Sequence, residues 1–147
     1  MTTLKPNRES RVRRTRRQPE GYRPDGTGVV AGDLRVAGRV WMEKGGKTYL
    51  AWGRIALLER IREYGSISAA ARAMGMGYAH AWELVETMNR MSPSPLVVKS
   101  TGGARGGGAA LTPAGEEAVE TFRSLVADFQ TWLTKRPRLR VGKRSGR

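Results

Sequence analysis

The sequence contains no cysteine and a single histidine among its 147 residues. The first absence excludes disulfides and thiolate metal sites. The second leaves His80 without the partners of a metal site or a nucleophile–base pair. No motif sets two carboxylates at acid–base spacing, so no enzymatic activity, cofactor or metal is expected. No apolar run approaches the roughly 18 residues that a membrane-spanning helix needs. The basic N-terminus is not followed by an apolar segment, so it is not a secretory signal. Neither end has the apolar face that would lay it on an anionic membrane. A cytoplasmic location is expected, with no membrane contact.

Acidic residues are also scarce, 13 Asp and Glu against 27 Lys and Arg, and the net charge is +14. Its distribution is uneven. Residues 1–28 carry +5, residues 135–147 carry +7, and the 106 residues between them carry +2. Both ends are rich in Arg, Pro and Gly and lack apolar periodicity. They are expected to be basic disordered tails around one folded domain over 29–134. Such tails bind polyanions without reading sequence, and that binding weakens steeply with salt. The bland alternative is that they serve solubility.

Within the domain, Leu34, Val36, Val40 and Met42 alternate with polar positions. Lys44-Gly45-Gly46-Lys47 is a turn signal, and Thr48 to Trp52 can return as a second strand. This predicts one β-hairpin over 34–51. Ile55, Leu58 and Ile61 have helical spacing, which predicts a helix over 54–64 ending at Gly65.

Residues 67–86 carry the most informative pattern. Ile67 to Met76 reads as a short helix that stops at Gly75, and Gly77 to Glu86 as a second helix started at once. Two helices crossing over a tight turn need a small residue at the contact and one tolerant of positive φ at the turn. Ala71 and Gly75 fill those places. Ser66 or Ser68 can cap the first helix. The second carries Ala81, Leu84, Val85, Met88 and Met91 on one face and stops before Ser92-Pro93-Ser94-Pro95. This geometry presents the second helix to a DNA major groove. Alanine-rich helix pairs joined at a glycine are common, so the pattern gains weight from the charge of the chain and from the residues C-terminal to Pro95.

Two short apolar runs, Leu96 to Ser100 and Ala109 to Leu111, flank the glycine-rich Thr101 to Gly108. They read as a β-ribbon with a cationic tip, a wing. The glycines lack the Gly-Lys-Ser/Thr of a nucleotide-binding loop and open no helix. They let the tip lie against a backbone, where Arg105 can reach phosphate or a minor groove. Thr112-Pro113 is a helix start. The helix continues to about Leu133, with Val119, Phe122, Val126, Phe129 and Leu133 as an apolar stripe. Little core remains to cover that stripe, so a homodimer seam through helix 113–133 is expected. The fold class is mainly α with small β: a winged helix-turn-helix with an N-terminal hairpin and a long C-terminal helix.

The motif residues also resemble a known family. Gly65-Ser66-Ile67-Ser68-Ala69-Ala70-Ala71, Tyr78, Ala81-Trp82, Met88-Asn89, Leu96-Val97, Thr101-Gly102-Gly103 and the wing through Leu111-Thr112 resemble the DNA-binding domain of ModE-type molybdate-responsive regulators. Val40 to Lys44 and Gly53-Arg54 fit the same pattern, and the resemblance covers about 34–133. It implies a LysR-type winged helix that dimerises and represses or activates transcription. It implies that Ser68, Tyr78, Ala79, His80 and Trp82 occupy DNA-facing positions and that Thr101 to Gly108 form the wing. Gly77 departs from a common serine, and Ala79 from a usual basic residue. After Leu133 only a basic tail remains, so a standalone DNA-binding domain without molybdate-binding modules is expected.

The expected function is sequence-specific regulation of transcription on double-stranded DNA, with no small-molecule effector. The candidate DNA contacts are Ser68, Tyr78, Ala79, His80, Trp82, Lys99, Thr101 and Arg105. Of the two aromatics, Tyr78 can donate to phosphate, while Trp82 is expected to be partly buried and to brace the helix start. Two alternatives are a nucleoid-type architectural binder using the tails, and a regulatory subunit whose last helix docks on a partner protein.

Overall fold

The computed structural model describes residues 26–31, 34–100 and 107–135. The elements run β1 (Gly26–Ala31), β2 (Leu34–Gly38), β3 (Trp41–Lys44), β4 (Lys47–Ala51), α1 (Trp52–Tyr64), α2 (Ile67–Ala73), α3 (Tyr78–Met91), β5 (Val97–Ser100), β6 (Gly108–Leu111) and α4 (Pro113–Lys135). The strands form three separate antiparallel pairs, β1–β2, β3–β4 and β5–β6. This is a winged helix-turn-helix, with β5–β6 as the wing.

Helix α1 is the centre of the core. Ile55, Leu57, Leu58 and Ile61 are all fully buried, because α2, α4, β4 and β6 pack around the helix. Burial of each such side chain contributes about 1.5–3 kcal/mol. From α4, Phe122 reaches Trp52 with ring centroids 6.5 Å apart. Arg123 grips Glu59 with two hydrogen bonds, at 2.5 and 2.8 Å, and its guanidinium lies 5.3 Å from the Trp52 ring centroid. The bond to Glu59 raises the Arg123 pKa. Arg123 is half exposed, though Glu59 is largely covered, so the pair contributes about 1 kcal/mol or less to stability.

Helix α1 ends where Gly65 takes a left-handed conformation, φ 68°, and its N–H closes on Ile61 O at 2.8 Å. Ser66 then caps α2, its Oγ accepting from Ala69 N–H at 3.0 Å. Gly75, φ 62°, makes the turn into α3. Ala71 and Ala81 are buried, and their small side chains let the two helices close up.

Three interactions fix the far end of α3. Lys44 Nζ donates to the Met91 carbonyl at 2.6 Å, a cation where the helix dipole is negative. Tyr49 Oη donates to Ser92 Oγ at 3.2 Å. The Asn89 amide accepts from Leu96 N–H (2.8 Å) and Val97 N–H (3.1 Å), and donates to Val97 O (2.9 Å). That one side chain shapes the turn that contains Pro93 and Pro95. Thr112 Oγ1 donates to Pro95 O at 2.6 Å and accepts from Gly115 N–H at 3.1 Å, and so caps α4.

The N-terminal part differs from the single hairpin expected over 34–51. The alternating run is cut at Arg39 and Val40, which belong to no strand. Leu34 to Gly38 pairs backward, with Gly38 opposite Gly26, and Trp41 to Lys44 pairs forward, with Trp41 opposite Ala51. Strand β1 begins at Gly26 and takes in the last three residues of the segment expected to be a tail; residues 1–25 and 136–147 of the two tails lie outside the described residues.

This extra hairpin also changes the reading of α4. Strand β1 packs along the helix, and Phe129 lies against Gly38 so closely that a Cβ there would stand 2.5 Å from its ring. Val119, Phe122, Val126 and Leu133 are buried within the chain. The stripe expected to be a dimer seam is thus core. What α4 leaves in solvent is the flank beside it, with Leu125 and Trp132 both about half exposed.

Candidate nucleic-acid interface

The starts of α2 and α3 and the first strand of the wing hold Ser68, Tyr78, Ala79, His80, Trp82 and Lys99 of the expected contact residues. Ser68 is exposed in the first turn of α2, but the cap is Ser66. The Ser68 hydroxyl is therefore not used by the capping bond. Arg72, on the same short helix, is also exposed.

Helix α3 starts at Tyr78 with no side-chain cap, since Gly77 precedes it. Tyr78 is 56% exposed, and Ala79 and His80 are exposed beside it. Trp82, expected to be partly buried, keeps 39% of its surface in solvent. It is open to contact as well as to bracing.

The inward face of α3 is set by Ala81, Val85 and Met88, all buried. At about 100° per residue, the face opposite them carries Ala79, Glu83, Glu86 and Arg90. His80 and Thr87 border this ridge on one side and Trp82 on the other. Ala79, Glu83 and Arg90 are exposed, and Glu86 is half-buried. Motif reading missed Glu83, Glu86, Thr87 and Arg90. The signal that finds them is the helical period counted from Ala81, Val85 and Met88. Tyr78 lies off the ridge, at the helix start.

The wing joins this surface through its strands. Ser100 faces Gly108 and Val97 faces Leu111. Lys99 is exposed on β5. A Cβ at Gly108 would meet Ser100 Oγ at 2.1 Å, so a side chain there would require the serine hydroxyl to turn away. Ala109 N–H donates to Gly65 O at 2.8 Å and ties the wing to the turn between α1 and α2. Thr101 and Arg105, the remaining candidates, lie outside the described residues. Among the described residues, no three His, Asp or Glu side chains group as a metal site, and no helix is long and apolar enough to cross a membrane.

With this geometry, the comparison with known proteins is specific. Residues 52–116, from the start of α1 to the first turn of α4, match the family described as bacterial regulatory helix-turn-helix protein, lysR family. Residues 52–116 are a LysR-type helix-turn-helix domain. The LysR-type domain contains α1, α2, α3 and the wing, and leaves outside it the two N-terminal hairpins and most of α4. The wider chain is similar to the molybdenum transport protein ModE of Azotobacter vinelandii, at 39% identity over 101 residues, which are 69% of this chain and 37% of that protein. It is 44% identical over 102 residues to the molybdenum-pterin-binding protein MopB of Rhodobacter capsulatus, again 69% and 37%. It is 42% identical over 77 residues to the DNA-binding transcriptional dual regulator ModE of Escherichia coli K12, 52% of this chain and 29% of that protein. The resemblance to ModE-type regulators is thus established for the LysR-type domain and its flanks. The chain spans about a third of the length of these relatives.

Proposed function

We propose that the chain binds double-stranded DNA as a sequence-specific regulator of transcription, with α3 in the major groove. The observation that carries this is the outward ridge of α3, which projects from the core beside the exposed start of α2 and the base of the wing. A rigid helix of this kind fits a groove about 12 Å wide. Tyr78, Ala79, His80 and Trp82 then meet the DNA at the helix start. Ser68 and Lys99 flank them at phosphate positions, and Thr101 and Arg105 act from the wing. A DNA regulator of this class works in the cytoplasm. The ModE names of the relatives support the reading. Sequence selection from a randomised duplex library tests it. An enriched motif is expected, and binding without enrichment would favour the architectural alternative that the +5 and +7 tails suggest.

The active species is proposed to be a homodimer. With the α4 stripe buried, the support comes from its flank, where Leu125 and Trp132 are 42% and 50% exposed. Nearer the start of α4 is a groove of about 370 Å³ whose lining includes Ala114, Ala118, Thr121, Met42 and Tyr49. Light scattering of the Leu125→Asp, Trp132→Glu double variant is expected to show a monomer where the unaltered chain is a dimer. The rival reading, docking of a different partner protein on α4, predicts a monomer in both.

The proposal includes no small-molecule effector for this segment. Two of the relatives are named for molybdenum, but the matches reach only 37% of each. Among the described residues, Glu117 is the one charged side chain that lines the groove beside α4, and a carboxylate repels an oxyanion. Calorimetry against molybdate at moderate salt is expected to show no saturable heat. A stoichiometric micromolar site would overturn this part.

A further inference from the structure

We propose that Glu83 is a specificity-determining residue that reads cytosine in the major groove. This deepens the DNA-binding function proposed above and rests on it. Glu83 is exposed on the outward ridge of α3, one turn after Ala79. Ala79 is too short to shield it, and the buried Ala81 and Val85 hold the helix so that this ridge leads. The other acidic ridge residue, Glu86, is half-buried and lies a turn further from the helix start. Recognition helices meet base edges through their N-terminal residues, so Glu83 is the one within reach.

A carboxylate on this surface requires an explanation. The partner is a polyanion, and the two ends of the chain are strongly basic. Among the described residues, Glu83 forms no ion pair, since the three salt bridges belong to Arg60–Glu63, Arg62–Glu116 and Arg123–Glu59. Beside a phosphate its charge is purely repulsive. At the floor of the major groove it is not. An ionised carboxylate is an acceptor only. The cytosine N4 amino group offers a donor there, whereas guanine presents N7 and O6 and thymine presents O4, all acceptors. Adenine offers N6–H but sets the N7 lone pair next to it. Glu83 therefore favours cytosine and repels the alternatives, and its charge opposes binding wherever the register is wrong.

The test is selection from a randomised duplex library with the unaltered chain, Glu83→Gln and Glu83→Ala, followed by titration of the best site and its single-base variants. The unaltered chain is expected to require cytosine at one position of each half-site, by about tenfold over other bases. A glutamine pairs bidentately with adenine, so Glu83→Gln should move that position to adenine and keep the rest of the motif. Glu83→Ala should leave that position without preference. Thermal melting confirms that both exposed-site variants fold. Identical motifs for all three proteins would overturn the proposal while leaving DNA reading intact. Loss of every sequence preference by a folded variant would also overturn it, because Glu83 would then organise the helix instead of reading a base. An unaltered chain that enriches nothing would refute the DNA-reading function itself.

Discussion

Asn89 offers the sharpest test of how the fold is held. Its side chain makes three partly buried hydrogen bonds, to Leu96 N–H, Val97 N–H and Val97 O, at 2.8, 3.1 and 2.9 Å. Leu96 is 1% exposed, so water cannot replace the lost partner at its amide. A hydrogen bond contributes about 0.5–1.5 kcal/mol net, and an unsatisfied buried group costs more. Asn89→Ala is thus expected to destabilise the protein by roughly 2–4 kcal/mol. For a folded unit of this size that lowers Tm by on the order of 10–20 °C. Asn89→Asp keeps both acceptor bonds but turns a carboxylate oxygen toward Val97 O in place of the donor, so only part of the loss should return. Urea and thermal unfolding followed by circular dichroism measure all three proteins. An Asn89→Ala protein within about 0.5 kcal/mol of the parent, or an Asp variant no better than Ala, would refute the reasoning.

Gly115→Ala places a Cβ 2.2 Å from the Leu96 carbonyl oxygen, and since backbone must move, a loss of about 2–3 kcal/mol is expected in the same unfolding assay. Ser66→Ala removes the α2 cap and should cost about 1 kcal/mol. Ser68→Ala should leave stability unchanged and weaken DNA binding in fluorescence anisotropy. Removing residues 1–25 and 136–147 takes away eleven net positive charges; the salt slope of DNA binding should flatten while the selected motif stays the same.

Much of the architecture is legible in the sequence because its punctuation is local. Gly65, Gly75 and the Thr112-Pro113 pair mark their boundaries by backbone chemistry, and the helices lie where these residues put them. The hairpin formed by β1 and β2 was not legible, because Gly26 to Ala31 shows no clean alternation and sits beside a highly basic stretch. The one error propagated. With β1 unseen, the stripe on α4 had nothing to cover it and read as an intermolecular seam. The Asn89 contacts were hidden for another reason: the spacing of Asn89 from Leu96 and Val97 carries no pattern until the Pro93–Pro95 turn folds the chain back. On the candidate interface, motif resemblance drew attention to Tyr78, His80 and Trp82. The ridge through Glu83 and Arg90 was also legible, as the face opposite Ala81, Val85 and Met88, but no motif pointed to it.

The single bond from Ala109 N–H to Gly65 O has a consequence for how an operator is measured. It fastens the returning strand of the wing to the turn that launches α2, while Asn89 fastens the outgoing strand to the end of α3. The start of α2, the end of α3 and the two strands of the wing therefore share one chassis. In the proposed DNA complex such a calliper is expected to fit duplexes whose local groove spacing matches its jaws, and to reject sequences that are stiff in the wrong shape at base pairs it never touches.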